Sequence, residues 1–504
     1  MLAAPVSQLD LPLRLDRAAG APLQRQLLAQ LRAAISGGQL AGGTRLPSSR
    51  ALATALGVSR NVVVGAYDEL FAEGYVTGRH GSGTYVEDAL PTAPQRPMPL
   101  PTTARRWLRG EPLPTAVGTP LADDVPGLIS FRPGVPAIEL LPPEVWRRAW
   151  REAGELPPKR YADAAGDPEL RLALARWVGR TRGIACDADD VVVTTGAAQA
   201  LDLLARATLA PGDAVAFEEP GYPTGRNILL AHGARVVPIP VDEDGLRVEA
   251  LPTGKDAPLL ACVTPSHQYP LGARMPIARR LALLDWARTN DSLIVEDDYD
   301  SEFRFDAPPL PALMGLDGER GEGRVAYIGT FAKCLAPSLR LGYVIVPPAL
   351  RARIVGLKNL TDRHTSWPIQ RVVLTLIAEG HLERHIRRAR RRYAEDRAIL
   401  RAGLAPVTSG PDAPARLRGL EAGLHVCLEL APQIDQARLV ALARRRGVAV
   451  ATLEDYYYGP PDRQGLVLGY GGLSPDELAR GTKILAGVIA DCGFTRCGGY
   501  PIAD

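Results

Sequence analysis

The stretch between Asp88 and Pro126 most constrains how this chain can fold. Its text over 91–120, PTAPQRPMPLPTTARRWLRGEPLPTAVGTP, is proline-rich and shows no sustained apolar period. Proline fixes its own φ and lacks an amide proton, so such a run disfavours helix interiors and central strands and stiffens toward an extended spacer. It reads as a linker with a folded unit on each side, the blander alternative being a long surface loop of one domain. At 504 residues and 46% hydrophobic composition the chain has room for about three packed domains. Charge does not separate them: 59 Lys+Arg stand against 56 Asp+Glu, a net +3, which selects neither a nucleic acid nor an acidic partner. Residues 1–88 hold eight Arg, no Lys and seven acidic residues, so DNA binding there requires the basic groups to be gathered on one face. The opening MLAAPVSQLDLPLRLDR has no basic segment followed by an apolar core, and no window approaches a membrane span. A cytoplasmic protein without membrane contact is expected. The six cysteines are scattered without a CxxC pair or a histidine at ligand spacing, which implies reduced thiols and no metal.

Before the linker, Leu23, Leu27, Leu31 and Ile35 recur at helical spacing and stop at Gly37-Gly38. Ser48 or Ser49 can cap a short helix holding Leu52, Ala55 and Leu56, with Gly57 suited to a left-handed exit. Ser59 can cap a third helix, in which Val63, Ala66, Tyr67 and Leu70 share one face and Arg60, Asn61 and Val64 turn to the other. Gly74 ends it. Two short runs, Tyr75–Thr77 and Thr84–Val86, then flank a basic, glycine-rich tip and predict a β-hairpin. A helix, a tight turn and a second helix place Ser59, Arg60 and Asn61 at a helix N-terminus, where side chains reach base edges and amides meet phosphate.

After the linker, helical stretches alternate with seven β-rich runs, starting near 191, 214, 235, 259, 293, 325 and 342. Such alternation predicts one large, mainly parallel α/β sheet of seven strands, over about 180–350, with ligands beyond the strands' carboxyl ends. From about 361 an arginine-studded helical region leads into a small α+β subdomain with strands near His425–Leu430 and Leu466–Leu468. The expected division is 12–87 for the first unit, 88–126 for the linker and 127–504 for the second. In IGTFAKCLAPSLRLGYV a strand delivers Thr330 and Lys333 to its end among apolar neighbours, and a desolvated lysine has the lowered pKa that an imine-forming amine needs. In TTGAAQAL, Gly196, Ala197 and Ala198 fall at a strand-to-helix turn whose free amides can cradle a phosphate. In IVEDDYDSEFRF, strand alternation puts Asp297 and Tyr299 on one face, with Asp298 the competing carboxylate.

The ordered elements LPSSR, LGVSR, AYDEL, EGY and GSGTYV, over about residues 20–87, resemble the winged helix-turn-helix of the GntR superfamily. The resemblance implies a double-stranded DNA operator as partner. It puts Arg45, Ser48 and Arg50 on phosphates, Arg60 on bases beside Ser59 and Asn61, and Arg79, His80 and Gly81 of the wing on the minor groove or backbone. The usual motif carries Thr where Asn61 and Val62 stand, which leaves room for a base preference different from that of relatives.

The second unit resembles the fold-type I pyridoxal-phosphate aminotransferases. That implies pyridoxal 5′-phosphate as cofactor, with Lys333 as the Schiff-base lysine and Thr330 and Arg340 on the phosphate. Asp297 would pair with the pyridine nitrogen, Tyr299 with the phenolic oxygen, and Tyr222 of EEPGYP would stack on the ring. His267, with Gln268 of TPSHQYPLG, would line the other edge. Tyr161 of RYADAAGDPELR would reach the phosphate of a neighbouring subunit, which implies a homodimer. Ala332 and Cys334 replace the usual Ser and Thr beside the lysine and remove no imine-forming group. Taken together the chain resembles the MocR subfamily of GntR regulators, in which an aminotransferase-like domain serves as effector sensor. The effector is pyridoxal phosphate itself, as in the branch controlling vitamin B6 synthesis or salvage, or an amine or amino acid. The rival reading is a working aminotransferase with an appended DNA-binding module. Against it, GLVLGYGGLSPDEL has Val467 where a substrate-clamping arginine is expected, with no arginine between Arg463 and Arg480. Little turnover is therefore expected, unless Arg226 or Arg304 takes over the clamp.

Overall fold

The computed structural model describes residues 13–79, 83–88, 127–155, 160–305, 311–320 and 323–493. The expected linker from 89 onward, residue 12, and His80 and Gly81 of the wing tip lie outside them. The described residues form two compact units, one on each side of the proline-rich stretch.

In the first unit, α1 (Leu23–Ser36) buries Leu27, Leu28, Leu31, Ala34 and Ile35 on one face, as its apolar spacing requires. Helix α2 (Ser49–Leu56) is capped by Ser48, whose side chain accepts from the Ala51 amide at 3.2 Å. It leaves through Gly57 at φ 63°, ψ 33°, a left-handed conformation that a Cβ makes costly. Helix α3 (Arg60–Ala72) follows, with Ser59 at its N-cap position, but the Ser59 side chain makes no capping hydrogen bond. Val63, Ala66, Tyr67 and Leu70 of α3 join Leu27, Leu31, Leu46 and Leu52 in one core. The hairpin pairs β1 (Val76–Arg79) with β2 (Gly83–Val86), Val76 opposite Val86, and burial of those two residues fastens it to the same core.

The second unit opens with β3 (Ile129–Ser130). Its large sheet contains all seven runs as β4 (Val191–Thr194), β5 (Ala214–Glu219), β6 (Arg235–Asp242), β8 (Leu260–Val263), β9 (Leu293–Asp298), β10 (Val325–Thr330) and β11 (Gly342–Ile345). The sheet has eight strands rather than seven, because β7 (Gly245–Leu246) folds back antiparallel on β6. Two residues are too few to show a period. The order is β4-β11-β10-β9-β8-β5-β6-β7. Neighbours from β10 to β6 pair in parallel, and β11 runs antiparallel to both β10 and β4, so five neighbouring ladders keep β4, β5, β8, β9 and β10 pointing the same way. These parallel strands are almost wholly buried, as helices on both faces demand. The small subdomain holds β12 (Ala415–Arg418), β13 (His425–Leu430), β15 (Ala451–Thr452) and β16 (Gln464–Gly469) in the antiparallel order β12-β13-β16-β15. Its β14 (Val448–Ala449) pairs in parallel with β3. No helix among the described residues is long and apolar enough to cross a membrane.

Candidate cofactor site and nucleic-acid interface

A cavity, partly open to solvent, lies at the carboxyl ends of the parallel strands. Several strands deliver residues to it. The turn after β4 brings Gly196, Ala197 and Ala198; the segment after β5 brings Tyr222; β9 and its exit bring Asp297, Tyr299 and Asp300; β10 and its exit bring Thr330 and Lys333; and Arg340 precedes β11. Nine of the residues expected at a cofactor therefore share one wall.

The helix Ala197–Thr208 has Gly196 at its N-cap with no side-chain hydrogen bond, leaving first-turn amides available to an anion. Arg340, at φ 50°, brings its guanidinium to the same end, since a Cβ on Gly196 would stand 3.5 Å from Arg340 Nη2. Thr330 completes this cup. Opposite it, Lys333 Nζ donates to the Gly134 carbonyl at 3.1 Å. Gly134 has φ 79°, and a Cβ there would lie 2.3 Å from Nζ, so only glycine lets the amine reach this position. Burial lowers the Lys333 pKa, although Asp300 and Asp297 pull the other way.

Asp297 is pushed up to about 7 by burial and by Asp298, partly offset by Lys333. Its Oδ1 is buried without a hydrogen-bond partner among the described residues, so this carboxyl awaits a group in the cavity. Asp298, the competing carboxylate, points the other way: it takes Arg182 Nε and the Tyr327 hydroxyl at 2.6 Å each. Behind Asp297 lies Glu218, also raised to about 7 by burial and hydrogen-bonded through Oε2 to Thr264 Oγ1 at 2.5 Å. Glu218 and Asp297 line one small buried void together with Tyr222 and Cys262.

His267 does not reach the cavity wall. It is 2% exposed, with Nδ1 2.9 Å from Asp300 Oδ2 and 3.1 Å from the Tyr299 hydroxyl, and so stands behind the residues it was expected to join. Tyr161 is absent from its own chain's cavity as well: it is 75% exposed, with the Arg363 guanidinium 4.6 Å from its ring centroid. Sequence reasoning missed Thr264, Tyr269, Asp300 and His425 on the wall. The alternation that selected Asp297 and Tyr299 stops with β9 at Asp298, and the bend beyond it turns Asp300 inward.

Val467, where the sequence leads one to expect the missing clamp, is fully buried on β16 among Val241, Leu271, Cys427, Leu453 and Tyr456. Arg226 packs over the Tyr458 ring and donates to the Tyr456 carbonyl. Arg304 bridges to Ala422, and burial lowers its pKa to about 10. Neither lines the cavity, where Arg340 supplies the only guanidinium among the described residues.

On the first unit, Arg45, Ser48, Arg50, Ser59, Arg60 and Asn61 are all exposed. Arg60 Nε donates to Ser49 Oγ at 3.2 Å, tying the start of α3 to the start of α2. Arg45 pairs in a lone antiparallel bridge with Tyr85, and its guanidinium would lie 3.1 Å from a Cβ on Gly83. Arg45 therefore flanks the wing while Arg60 stands at the recognition-helix end. Arg79 is the last residue of β1.

The comparisons follow the same division. Residues 23–86 match the bacterial regulatory proteins of the gntR family, and residues 132–461 match aminotransferase class I and II. The probable rhizopine catabolism regulatory protein MocR of Rhizobium meliloti is 38% identical over 94% of this chain and 94% of its own length. The chain belongs to the MocR-type GntR regulators. The pyridoxine biosynthesis transcriptional regulator PdxR of Corynebacterium glutamicum is 35% identical over 93% of this regulator and 96% of its own length. Among solved structures, the kynurenine aminotransferase of Pyrococcus horikoshii, in complex with PMP, matches with a TM-score of 0.67 at 30% identity, covering 72% of this regulator and 91% of that chain. This regulator thus joins a DNA-binding winged helix-turn-helix to an aminotransferase-type domain. Pyridoxal 5′-phosphate is the cofactor of that domain, and the anion cup, the unpartnered Asp297 oxygen and the Gly134-bound lysine fit it.

Proposed function

We propose that this regulator is a cytoplasmic homodimer whose cofactor-loaded domain senses a small molecule, with negligible turnover of amino acids. In this reading Gly196, Ala197, Ala198, Thr330 and Arg340 hold the phosphate, Lys333 takes the aldehyde carbon, and Asp297 faces the ring nitrogen. Tyr299 meets the ring oxygen, Tyr222 covers one ring face, and Tyr161 reaches across from the partner subunit. Bound pyridoxal phosphate supplies a carbon that amines attack and a ring that accepts electron density when its nitrogen is protonated. Asp297 keeps that proton in place, because a cationic ring beside a buried carboxyl favours its ionised form. Burial lowers the Lys333 pKa, which favours the free amine that such bonding needs. Tyr161 suits a role across an interface because it projects outward, away from its own cavity.

The observation that carries the sensor reading is Val467, buried in an apolar cluster where a carboxylate clamp would be needed. Arginine clamps carboxylates because its planar fork pairs bidentately, and without it a bound amino acid lacks fixed geometry for proton transfer. The enzyme reading draws on one feature, that Lys333 and Asp297 face the same cavity. A panel of amino acids and keto acids tests the choice: slow single conversions are expected, and rapid multiple turnover would overturn the sensor reading. The effector is pyridoxal phosphate itself, a reading supported by the likeness to the pyridoxine biosynthesis regulator, or an amine that exchanges onto the cofactor. Its differential binding to two arrangements of the second unit, 127–504, passes through the 88–126 linker to the DNA-binding unit, 12–87. There Arg60, with Ser59 and Asn61, reads bases, while Arg45, Ser48, Arg50 and the Arg79–Gly81 wing hold the backbone.

A further inference from the structure

The cofactor leaves part of the cavity wall unused. With the phosphate, aldehyde carbon and ring accounted for, the remaining polar side chains of the wall are Thr264, Tyr269, Asp300 and His425. Three of them are committed inward: Thr264 Oγ1 to Glu218, the Tyr269 hydroxyl to that of Tyr456 at 3.2 Å, and His425 Nε2 to the Pro270 carbonyl at 3.2 Å. Asp300 differs. It is 1% exposed, and among the described residues the side-chain group bonded to it is His267, whose Nδ1 it shares with the Tyr299 hydroxyl. A carboxylate has about four acceptor sites, more than His267 Nδ1 fills, and Asp300 lies on the cavity wall.

Resting on the cofactor reading above, we propose that the cavity takes, beside the cofactor, a small aliphatic cation bearing an ammonium group and no carboxylate, with Asp300 as the group that meets it. A buried carboxylate is stabilised by a facing cation and penalised by a second anion. A ligand carboxylate placed here would meet Asp300 and find, among the described residues, no guanidinium on the wall beyond Arg340. Asp300 is also the strongest acidic influence on the Lys333 amine, ahead of Asp297, and shares the cavity wall with it. Arg132 is near enough to depress Lys333 but does not line the cavity; a carboxylate-bearing ligand held by Arg132 is the opposing outcome.

The test titrates the cofactor-loaded, full-length protein with 1,4-diaminobutane and with 4-aminobutanoate, chains of equal length that differ at one end. Cofactor absorbance and melting temperature are followed together. The diamine should half-saturate at a concentration at least about tenfold lower, and Asp300→Asn should bring the two ligands within about twofold. Should that variant not fold, the wild-type comparison still decides, and Arg132→Ala should leave the preference unchanged. Equal or tighter binding of 4-aminobutanoate, no response to the diamine, a preference that survives in Asp300→Asn, or one that vanishes in Arg132→Ala would overturn the assignment. Protein that takes up no cofactor would refute the cofactor reading along with it, whereas normal cofactor absorbance without the preference refutes this inference alone.

Discussion

At the scale of single residues, protonation state and charge placement carry the chemistry. Lys333 is held by the Gly134 carbonyl with its pKa lowered by burial. Borohydride reduction of the yellow protein should fix the cofactor to Lys333 in a peptide map, and Lys333→Ala should abolish the absorbance; a label on another lysine contradicts the assignment. Glu218 supplies a pH test. Its pKa rises from 4.5 to about 7 on folding, so the folded chain holds an extra proton between those values. The resulting stability is fully present below the lower value and is lost as the pH climbs through the upper one. Between about pH 6 and about pH 8 the cofactor-free wild type should lose roughly 1 kcal/mol more than Glu218→Gln, read as a steeper fall in melting temperature; parallel curves would count against a protonated Glu218. On the first unit, Arg60→Ala should cost about 1–3 kcal/mol on the cognate operator and relax base choice, whereas Arg50→Ala should weaken all sequences alike. Equal losses on specific and random DNA in Arg60→Ala would make Arg60 one more backbone contact.

At the scale of elements, the turn between α2 and α3 is set by Gly57 at φ 63°, and open space surrounds its missing side chain. Gly57→Ala therefore costs backbone strain alone, roughly 1–2 kcal/mol. The urea concentration that halves operator binding should fall, while the concentration that releases the cofactor stays put; a matching fall in both would mean the two units do not unfold independently. These elements were legible because each had a repeating signal. Apolar spacing marked α1 and α3, and continuous β-rich runs marked the seven long strands. Where the period was too short or ended, the reading failed. The two-residue β7 left no pattern, Asp300 lay beyond the last alternating residue of β9, and His267 was drawn to the wall when a second layer holds it behind Asp300. Ser59 occupied a cap position without making the cap bond, since composition cannot say which way a hydroxyl turns. The choice of Asp297 over Asp298 was legible because a strand sends neighbouring side chains to opposite faces, here to the cavity and to Arg182.

At the scale of the whole molecule, a DNA-binding unit and a cofactor domain occur in one chain, and the proposed coupling between them would make the arrangement a switch. A ligand moves such an equilibrium only by as much as its affinities for the two arrangements differ. Coupling energies of this kind are typically about 1–3 kcal/mol, or roughly 5–150-fold in affinity. The most direct measurement is the affinity of full-length protein for an operator fragment recovered from genomic DNA, taken with and without pyridoxal phosphate, for the wild type and for Lys333→Ala. A wild-type shift of at least about fivefold, absent from Lys333→Ala, is the predicted result. An unchanged wild-type affinity, or an equal shift in the variant, would contradict pyridoxal phosphate as an effector acting through Lys333.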